Sequence, residues 1–284
     1  MAPRVPTKDE KKMLKELFSG MDVETVMISR EADSTYNCLA WTLGMTDSWV
    51  WPWTGQKTAT KAEFDALYKK HGFESKTDGP IASFGLDRNK LTHGSISGTG
   101  HGTRWESKLG QGPCIQHKLG EVTSPALYGS VQGFYAKTAL RLDGRPVLAK
   151  PQPAKGKVMK LSKDEALTLA QAAERVPQDL RNRFGKSYAG WVADCAHPAI
   201  AFSSSPAYRT YSLNFLELIT LGPAVLPLLM LKLYEEPDGF FALVVVDRLL
   251  PPALVVSFEP DDDAVLAGEQ GRARDTVKRW LSVT

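Results

Sequence analysis

The residue of this sequence best suited to covalent chemistry is a cysteine at the start of a short apolar stretch. Cys38 lies in residues 36–44 (YNCLAWTLG), where a polar loop gives way to apolar residues, and this pattern predicts a helix that begins at the cysteine. A thiol there lies near the positive end of the helix dipole, which favours the nucleophilic thiolate. The alternative is that Cys38 is a small apolar residue at the start of a core helix, as free cysteines often are.

A later histidine could accept the proton of that thiol. His93 lies in residues 90–96 (KLTHGSI), whose alternation predicts a strand, and the glycine-rich residues 97–102 predict a hairpin tip after it. A thiol on a helix, followed by an imidazole on a strand, lets the imidazole act as a base for the sulfur. The alternative is that His93 is a core histidine with a structural role only.

The residue that would orient His93 lies on the returning strand, and two neighbours compete for this role. Residues 103–110 (TRWESKLG) predict that strand, and alternation puts Glu106 and Ser107 on opposite faces, so only one of them points towards His93. A carboxylate stabilises an imidazolium better than a hydroxyl does, which favours Glu106 on chemical grounds. Reserve candidates on the following strand are Gln116 and His117.

Three tryptophans follow the Cys38 stretch in the segment WVWPW. Trp49, Trp51 and Trp53 could form an aromatic wall that binds a substrate beside the thiol and excludes water. The alternative is that the three indoles pack over the Cys38 helix as part of the core. Composition favours packing, and we keep substrate binding as the functional hypothesis.

Caps and apolar periodicity predict an α+β protein with two parts. Before residue 141 the patterns predict helices over residues 8–19, 38–44 and 61–71, and strands over 81–86, 90–96, 103–110, 113–119 and 128–140. After residue 161 they predict helices over 163–175, 180–191, 213–221, 224–235, 239–250 and 269–281. We therefore predict an N-terminal domain over residues 1–141, in which the Cys38 helix packs on an antiparallel sheet, a linker over 142–160, and an all-α domain over 161–284.

Composition narrows the class of protein and its compartment. The net charge of +3 is too small to argue for a nucleic-acid partner. The three cysteines are widely separated, which suits a reducing compartment, and neither they nor the histidines have the spacing of a zinc site. The N-terminus does not resemble a signal peptide, and prolines break the longest apolar run. We expect a cytoplasmic protein with no membrane partner, no metal and no cofactor.

Four segments, YNCLAW, LTHGSI, RWESKLG and YGSVQGFY, resemble a group of papain-like proteins found mainly as hypothetical proteins. That group carries an N-C-(Leu or Ile)-A-W motif, a threonine–histidine pair, and W-x-S-K-L-G with a downstream histidine. The resemblance covers residues 36–137. It implies a minimal papain-like fold, similar to bacterial cell-wall endopeptidases and amidases, with Cys38 as nucleophile and His93 as base.

The resemblance also implies roles for other residues. It favours Ser107 over Glu106 as the residue that orients His93, because the serine recurs in the motif. In papain-like relatives the oxyanion is held by the backbone N–H of the cysteine and by one upstream polar side chain, for which Tyr36 and Asn37 are the candidates. The C-terminal helices resemble a HEAT-like module.

These residues predict a thiol-dependent enzyme that acts through an acyl-enzyme intermediate on an amide or ester. Its substrate would be a peptide, an amide or a thioester, and the reaction could be that of a peptidase, amidase, deamidase or acyltransferase. The alternative is a non-catalytic papain-like binding module joined to a helical platform for a protein or RNA partner. Basic residues near the C-terminus that would serve such a platform are Arg272, Arg274, Lys278 and Arg279.

Overall fold

A computed structural model of the protein describes residues 2–52, 58–98, 104–137 and 161–284. Three of the sequence-based expectations lie outside these ranges: the side chain of Trp53, most of the glycine-rich hairpin tip, and the linker over 142–160. The described residues form an antiparallel sheet in the N-terminal part and a group of helices in the C-terminal part, which confirms the predicted α+β class.

The N-terminal part is organised by a seven-stranded antiparallel sheet. Its strands are β1 (Met27–Arg30), β2 (Phe73–Lys76), β3 (Ile81–Asp87), β4 (Lys90–Ser97), β5 (Trp105–Lys108), β6 (Cys114–His117) and β7 (Ser130–Lys137). Their order across the sheet is β1-β6-β5-β4-β3-β7-β2. Strand β2 was not predicted from the sequence, because it is short and only Phe73 of its residues is buried.

Three helices accompany the sheet: α1 (Lys8–Leu17), α2 (Cys38–Thr42) and α3 (Lys61–Lys70). Thr7 and Thr60 cap α1 and α3 through capping boxes with the glutamates three residues on, Glu10 and Glu63. Helices α2 and α3 share one apolar cluster with one face of the sheet, and α1 shares a second cluster with the other face. The sheet is therefore covered on both sides.

Strands β4 and β5 diverge close to the Cys38 helix. Their register ends at the pair Ile96–Glu106, and no further pairing joins the described residues that precede Ile96 to those that follow Glu106. Helix α2 contacts both strands. The thiol of Cys38, the first residue of α2, lies close to the backbone of Gly94 in β4.

The C-terminal part consists of helices with short connections. They are α4 (Lys163–Glu174), α5 (Gln178–Cys195), α6 (Pro198–Ala201), α7 (Leu213–Thr220), α8 (Leu226–Glu235), α9 (Leu243–Leu249) and α10 (Gly268–Leu281). Most of the predicted helices are confirmed to within a few residues. Residues 196–211, over which no helix was predicted, contain α6 and a 3-10 turn over Pro206–Thr210, each of which begins with a proline at its first position.

A helix that crosses a bilayer needs about 20 consecutive, mainly apolar residues. Of the helices in the described ranges, none alone is long and apolar enough to cross a membrane, and one pair meets the test jointly but is bent by 93°.

Side chains from each part enter the core of the other. Trp49 of the N-terminal part is 1% exposed and belongs to the apolar cluster of the helical part. In the opposite direction, Phe202 packs into the α1 side of the sheet and Val265 into the α2 side. The two parts therefore share buried surface.

Candidate functional site

The thiol of Cys38 lies at the first residue of α2 and is completely buried. Burial raises the pKa of the thiol to about 11, and the nearby Ser204 hydroxyl and Gly94 backbone offset this only in part. The backbone N–H of Cys38 donates a hydrogen bond to Ser204 Oγ at 3.5 Å. In this closed arrangement the sulfur is protonated at neutral pH and is covered by a residue of the helical part.

The two residues before Cys38 are held by contacts that shape the helix start. Asn37 caps α2, because its Oδ1 accepts a hydrogen bond from the N–H of Ala40 at 3.1 Å while its Nδ2 donates to the carbonyl of Val50 at 2.6 Å. The Tyr36 hydroxyl lies 3.7 Å from the sulfur of Cys114. The oxyanion role stays a prediction for both residues, and for Asn37 it competes with a structural role.

Lys108 brings a positive charge close to the buried thiols. Its ammonium donates to the carbonyls of Asp33 at 2.6 Å and Gly112 at 2.7 Å, and also to that of Gly110. Burial lowers the pKa of Lys108 to about 8, and the charge of Lys108 acts to lower the pKa of Cys38. The amine thus joins the loop at Asp33 to the loop of residues 110–112 and places a positive charge in the surroundings of the thiol.

His93 is buried on the opposite face of β4 from the body of α2. A side chain at the next residue, Gly94, would meet Leu39 and Thr42 of α2, so alternation turns His93 to the other side. There its ring stacks on Tyr128 with centroids 3.8 Å apart. Neither ring nitrogen has a hydrogen-bond partner among the described residues.

The predicted hydrogen bond between the Cys38 thiol and His93 is therefore not formed in this structure. The physical reason is the stacking of the imidazole on Tyr128, which holds the ring away from a bonded position. Burial lowers the pKa of His93 well below its usual value, and nearby His117 lowers it further. The ring is consequently neutral, and its role as base stays a prediction.

A buried chain of hydrogen bonds runs beside His93 across three strands. Ser95 Oγ lies 2.6 Å from Ser107 Oγ, Ser107 Oγ lies 2.7 Å from His117 Nε2, and His117 Nδ1 lies 2.7 Å from the carbonyl of Lys118. Because that carbonyl can only accept, Nδ1 carries the proton and Nε2 accepts from Ser107. Ser107 thus orients His117 and not His93.

Glu106 is also engaged elsewhere. Its carboxylate accepts a hydrogen bond from the amide nitrogen Nε2 of Gln116 at 3.0 Å across the β5–β6 pair, on the opposite face from Ser107. Neither candidate for orienting His93 is bonded to that ring, because the unpartnered imidazole contacts aromatic neighbours instead.

The tryptophans divide between the two cores. Trp49 packs against Phe240 and Phe241 of the helical part, and Trp51 packs against Phe64 of α3. Both are almost fully buried, so the packing alternative describes them in this structure, and substrate binding by these rings stays a prediction.

Sequence reasoning missed the segment that covers the thiol. Ser204 follows Phe202 in a run of three serines, and nothing in its local pattern marks it as a neighbour of Cys38. A contact across 166 residues has no local signal. Lys108 entered the sequence analysis only as part of the motif WESKLG. A lysine inside a strand and directly before a glycine turn could have indicated a buried amine that binds loop carbonyls.

The basic residues near the C-terminus and the arrangement of possible metal ligands bear on the predicted partners and cofactors. Arg272 is 1% exposed and pairs with Asp247 and Glu269, so in this structure it does not contribute to an exposed basic surface. The helical platform for a protein or RNA partner stays a prediction. Across the described ranges, no three residues among His, Cys, Asp and Glu cluster as metal ligands would.

Part of the chain matches a known family model. Residues 27–136 match the model of a domain of unknown function, DUF7689. This stretch begins with β1 and includes Cys38, His93, Ser107 and His117. No curated protein and no solved structure matches the chain.

Proposed function

We propose that the protein is a thiol-dependent enzyme of papain-like type that acts on an amide or ester through an acyl intermediate on Cys38. One observation carries the proposal: an oxygen atom, Ser204 Oγ, accepts a hydrogen bond from the backbone N–H of Cys38 beside the thiol. In acyl transfer the oxygen of the attacked carbonyl becomes the oxyanion. It then accepts a hydrogen bond from a backbone N–H beside the nucleophile, which is the kind of position that Ser204 Oγ occupies here.

The reaction requires the His93 ring to leave its stack on Tyr128 and to reach the sulfur. The thiol proton then passes to His93 and the sulfur attacks the carbonyl carbon. The tetrahedral intermediate collapses to a thioester as the C–N or C–O bond breaks, and the leaving amine or alcohol takes the proton from the imidazolium. Water or a second amine then resolves the thioester and restores the thiol.

These reaction steps require the site around Cys38 to open, and opening also favours the transfer of the thiol proton. Burial is the main cause that raises the pKa of Cys38 and the main cause that lowers the pKa of His93. When water enters, both pKa values move towards each other, so proton transfer from sulfur to imidazole becomes less unfavourable. In the proposed mechanism the described structure is the closed form, in which the buried thiol does not react.

A second candidate nucleophile is favoured by one specific distance. Ser107 Oγ and His117 Nε2 are 2.7 Å apart, and a carbonyl fixes the other ring nitrogen, which is the arrangement of an activated serine and its base. This serine is buried as completely as Cys38. The test therefore has to distinguish a thioester from an oxygen ester.

The test is acylation of the full chain by a p-nitrophenyl ester, with the adduct located by peptide mass mapping. We expect an adduct on Cys38 that neutral hydroxylamine removes, as it removes thioesters, and that Cys38→Ala abolishes. Cys195→Ala is the matched control and should keep the adduct. A hydroxylamine-resistant adduct lost in Ser107→Ala would establish the serine candidate instead.

Absence of any adduct would overturn both catalytic candidates and leave the binding-module alternative. In that case the expected property is a stable complex through the helical part, and for RNA a complex that weakens steeply with salt.

A further inference from the structure

The segment of the helical part that covers Cys38 is seated on the sheet by its main chain. The N–H of Gln111 donates to the carbonyl of Ala201 at 2.8 Å, and the Tyr128 hydroxyl donates to that of Phe202 at 2.7 Å. The indole Nε1 of Trp49 donates to the carbonyl of Ser204 at 3.3 Å. These donors, which come from three separate places in the N-terminal part, together form a receptor for a peptide backbone.

The receptor also accommodates one large side chain. The ring of Phe202 lies against Gly112, where a side chain would collide with it, and the backbone of residues 201–202 lies equally close to Gly110. The missing side chains of these two glycines create the space that the covering segment fills. Phe202 itself is 6% exposed and belongs to the apolar cluster on the α1 side of the sheet.

At the reacting position the segment presents a small polar residue. Ser204 Oγ accepts from the N–H of Cys38, two residues after the phenylalanine. The segment thus offers three backbone carbonyls, an aromatic anchor and an oxygen beside the thiol. Each of these features is one that a polypeptide substrate also provides.

We propose that residues 201–205 are an internal pseudosubstrate, and that the substrate class is a polypeptide segment with an aromatic residue two positions before the reacting residue. This inference rests on the proposed thiol chemistry. Ser204 presents a hydroxyl where a substrate presents its carbonyl, so the segment fills the site without being attacked. Withdrawal of the segment exposes Cys38 and the backbone donors to a peptide from another chain.

The first experiment measures the rate at which iodoacetamide alkylates Cys38 in the full chain, with Cys114 and Cys195 as internal references. Phe202→Ala should raise that rate by about tenfold or more, because the loss of a buried ring favours local opening. Gly112→Ala disturbs the same contact from the receptor side and should act in the same direction.

The matched control is Tyr208→Phe. The Tyr208 hydroxyl joins the same two parts through the carbonyls of Ala126 and Leu127, at 3.1 Å and 3.0 Å, without belonging to the covering segment. We expect this variant to leave the alkylation rate of Cys38 close to that of the wild type. Circular dichroism checks that each variant is folded, and Gly112→Ala replaces Phe202→Ala if the latter is not.

The second experiment supplies the peptide from outside. A synthetic peptide of residues 199–206 should slow alkylation of Cys38 in the Phe202→Ala variant, and the same peptide with alanine at its phenylalanine should not. The proposal is overturned by wild-type alkylation rates in Phe202→Ala and Gly112→Ala, by an equal increase in Tyr208→Phe, or by a peptide without effect. Because alkylation requires no turnover, these outcomes are independent of whether an ester acylates Cys38.

Discussion

At the scale of single residues, the sheet buries several polar side chains on the same face as His93. Ser95, Ser107 and His117 satisfy one another and end on a backbone carbonyl, so this chain is neutral and fully bonded. His93 beside it has no such partner among the described residues. A histidine with both ring nitrogens bonded thus lies close to one whose ring nitrogens have no partner among the described residues.

The buried imidazoles make stability depend on pH. Burial lowers the pKa of His117 from 6.5 to about 4, so between these values the unfolded chain binds a proton that the folded chain does not. Stability is complete above pH 6.5 and falls as the pH is lowered towards 4, by on the order of 3 kcal/mol for this one group. His93 acts in the same direction, since its pKa is also lowered.

Urea unfolding at several pH values measures this effect. His117→Gln should be less stable than the wild type at pH 7.5 and should lose a smaller part of its stability between pH 6.5 and pH 4. His197→Gln, which replaces an exposed histidine, should keep the wild-type dependence. An unchanged slope in His117→Gln would contradict the assignment.

At the scale of elements, one glycine fixes how β7 approaches β3. Gly129 has φ of +71°, and a side chain there would collide with the backbone of Gly85. It directly follows Tyr128, whose ring stacks on His93, so this turn also sets the position of the stacking partner. The site therefore depends on a backbone conformation that other residues adopt only at a cost.

Replacing that glycine should be strongly destabilising. For Gly129→Ala the left-handed conformation alone costs about 1–2 kcal/mol, and the backbone collision adds to it. Gly185→Ala in α5 is the control, because nothing lies within 4 Å of the new side chain. That substitution should stabilise the protein by roughly 0.5–1 kcal/mol. Chemical denaturation measures the free energy of unfolding of both variants. Equal changes in the two variants would refute the role given to Gly129.

The elements were predictable where the signals are local. The capping pairs Thr60–Glu63 and Ser162–Glu165 mark the starts of α3 and α4, and the structure forms both. Alternation also predicted β4, but it could not decide which layer His93 faces. The sheet buries side chains on both of its faces. Alternation therefore shows that adjacent residues of β4 face opposite sides, but it does not show which of them faces α2.

The candidate site was predictable only in its parts. Cys38 at a helix start follows from its neighbours in sequence, and the structure confirms that position. Its contact with Ser204 depends on how two distant segments pack, which no local pattern encodes. The stacking of His93 on Tyr128 likewise depends on tertiary packing, because the local sequence does not determine whether the ring meets an aromatic or a polar partner.

At the scale of the whole molecule, the two parts are interlocked by exchanged side chains. Trp49 is buried among helices, its Nε1 donates to Ser204, and its ring lies under the guanidinium of Arg209. Phe202 and Val265 enter the sheet clusters in return. Neither core is complete without residues from the other part, so the parts should not unfold independently.

Differential scanning calorimetry tests this coupling. We expect one transition whose calorimetric and van't Hoff enthalpies agree. Trp49→Ala should lower the stability of the whole molecule by about 3–5 kcal/mol while keeping a single transition. Two separated transitions in the wild type would show that the exchanged side chains do not couple the parts.

The position of Ser204 in the chain has a consequence for biosynthesis. A ribosome releases the strands of the sheet and Cys38 well before it releases residues 201–205, because translation proceeds from the N-terminus. Until then the sulfur of the emerging N-terminal part lacks the cover that Ser204 provides. Shielding is acquired only when the later helices have been synthesised and have docked.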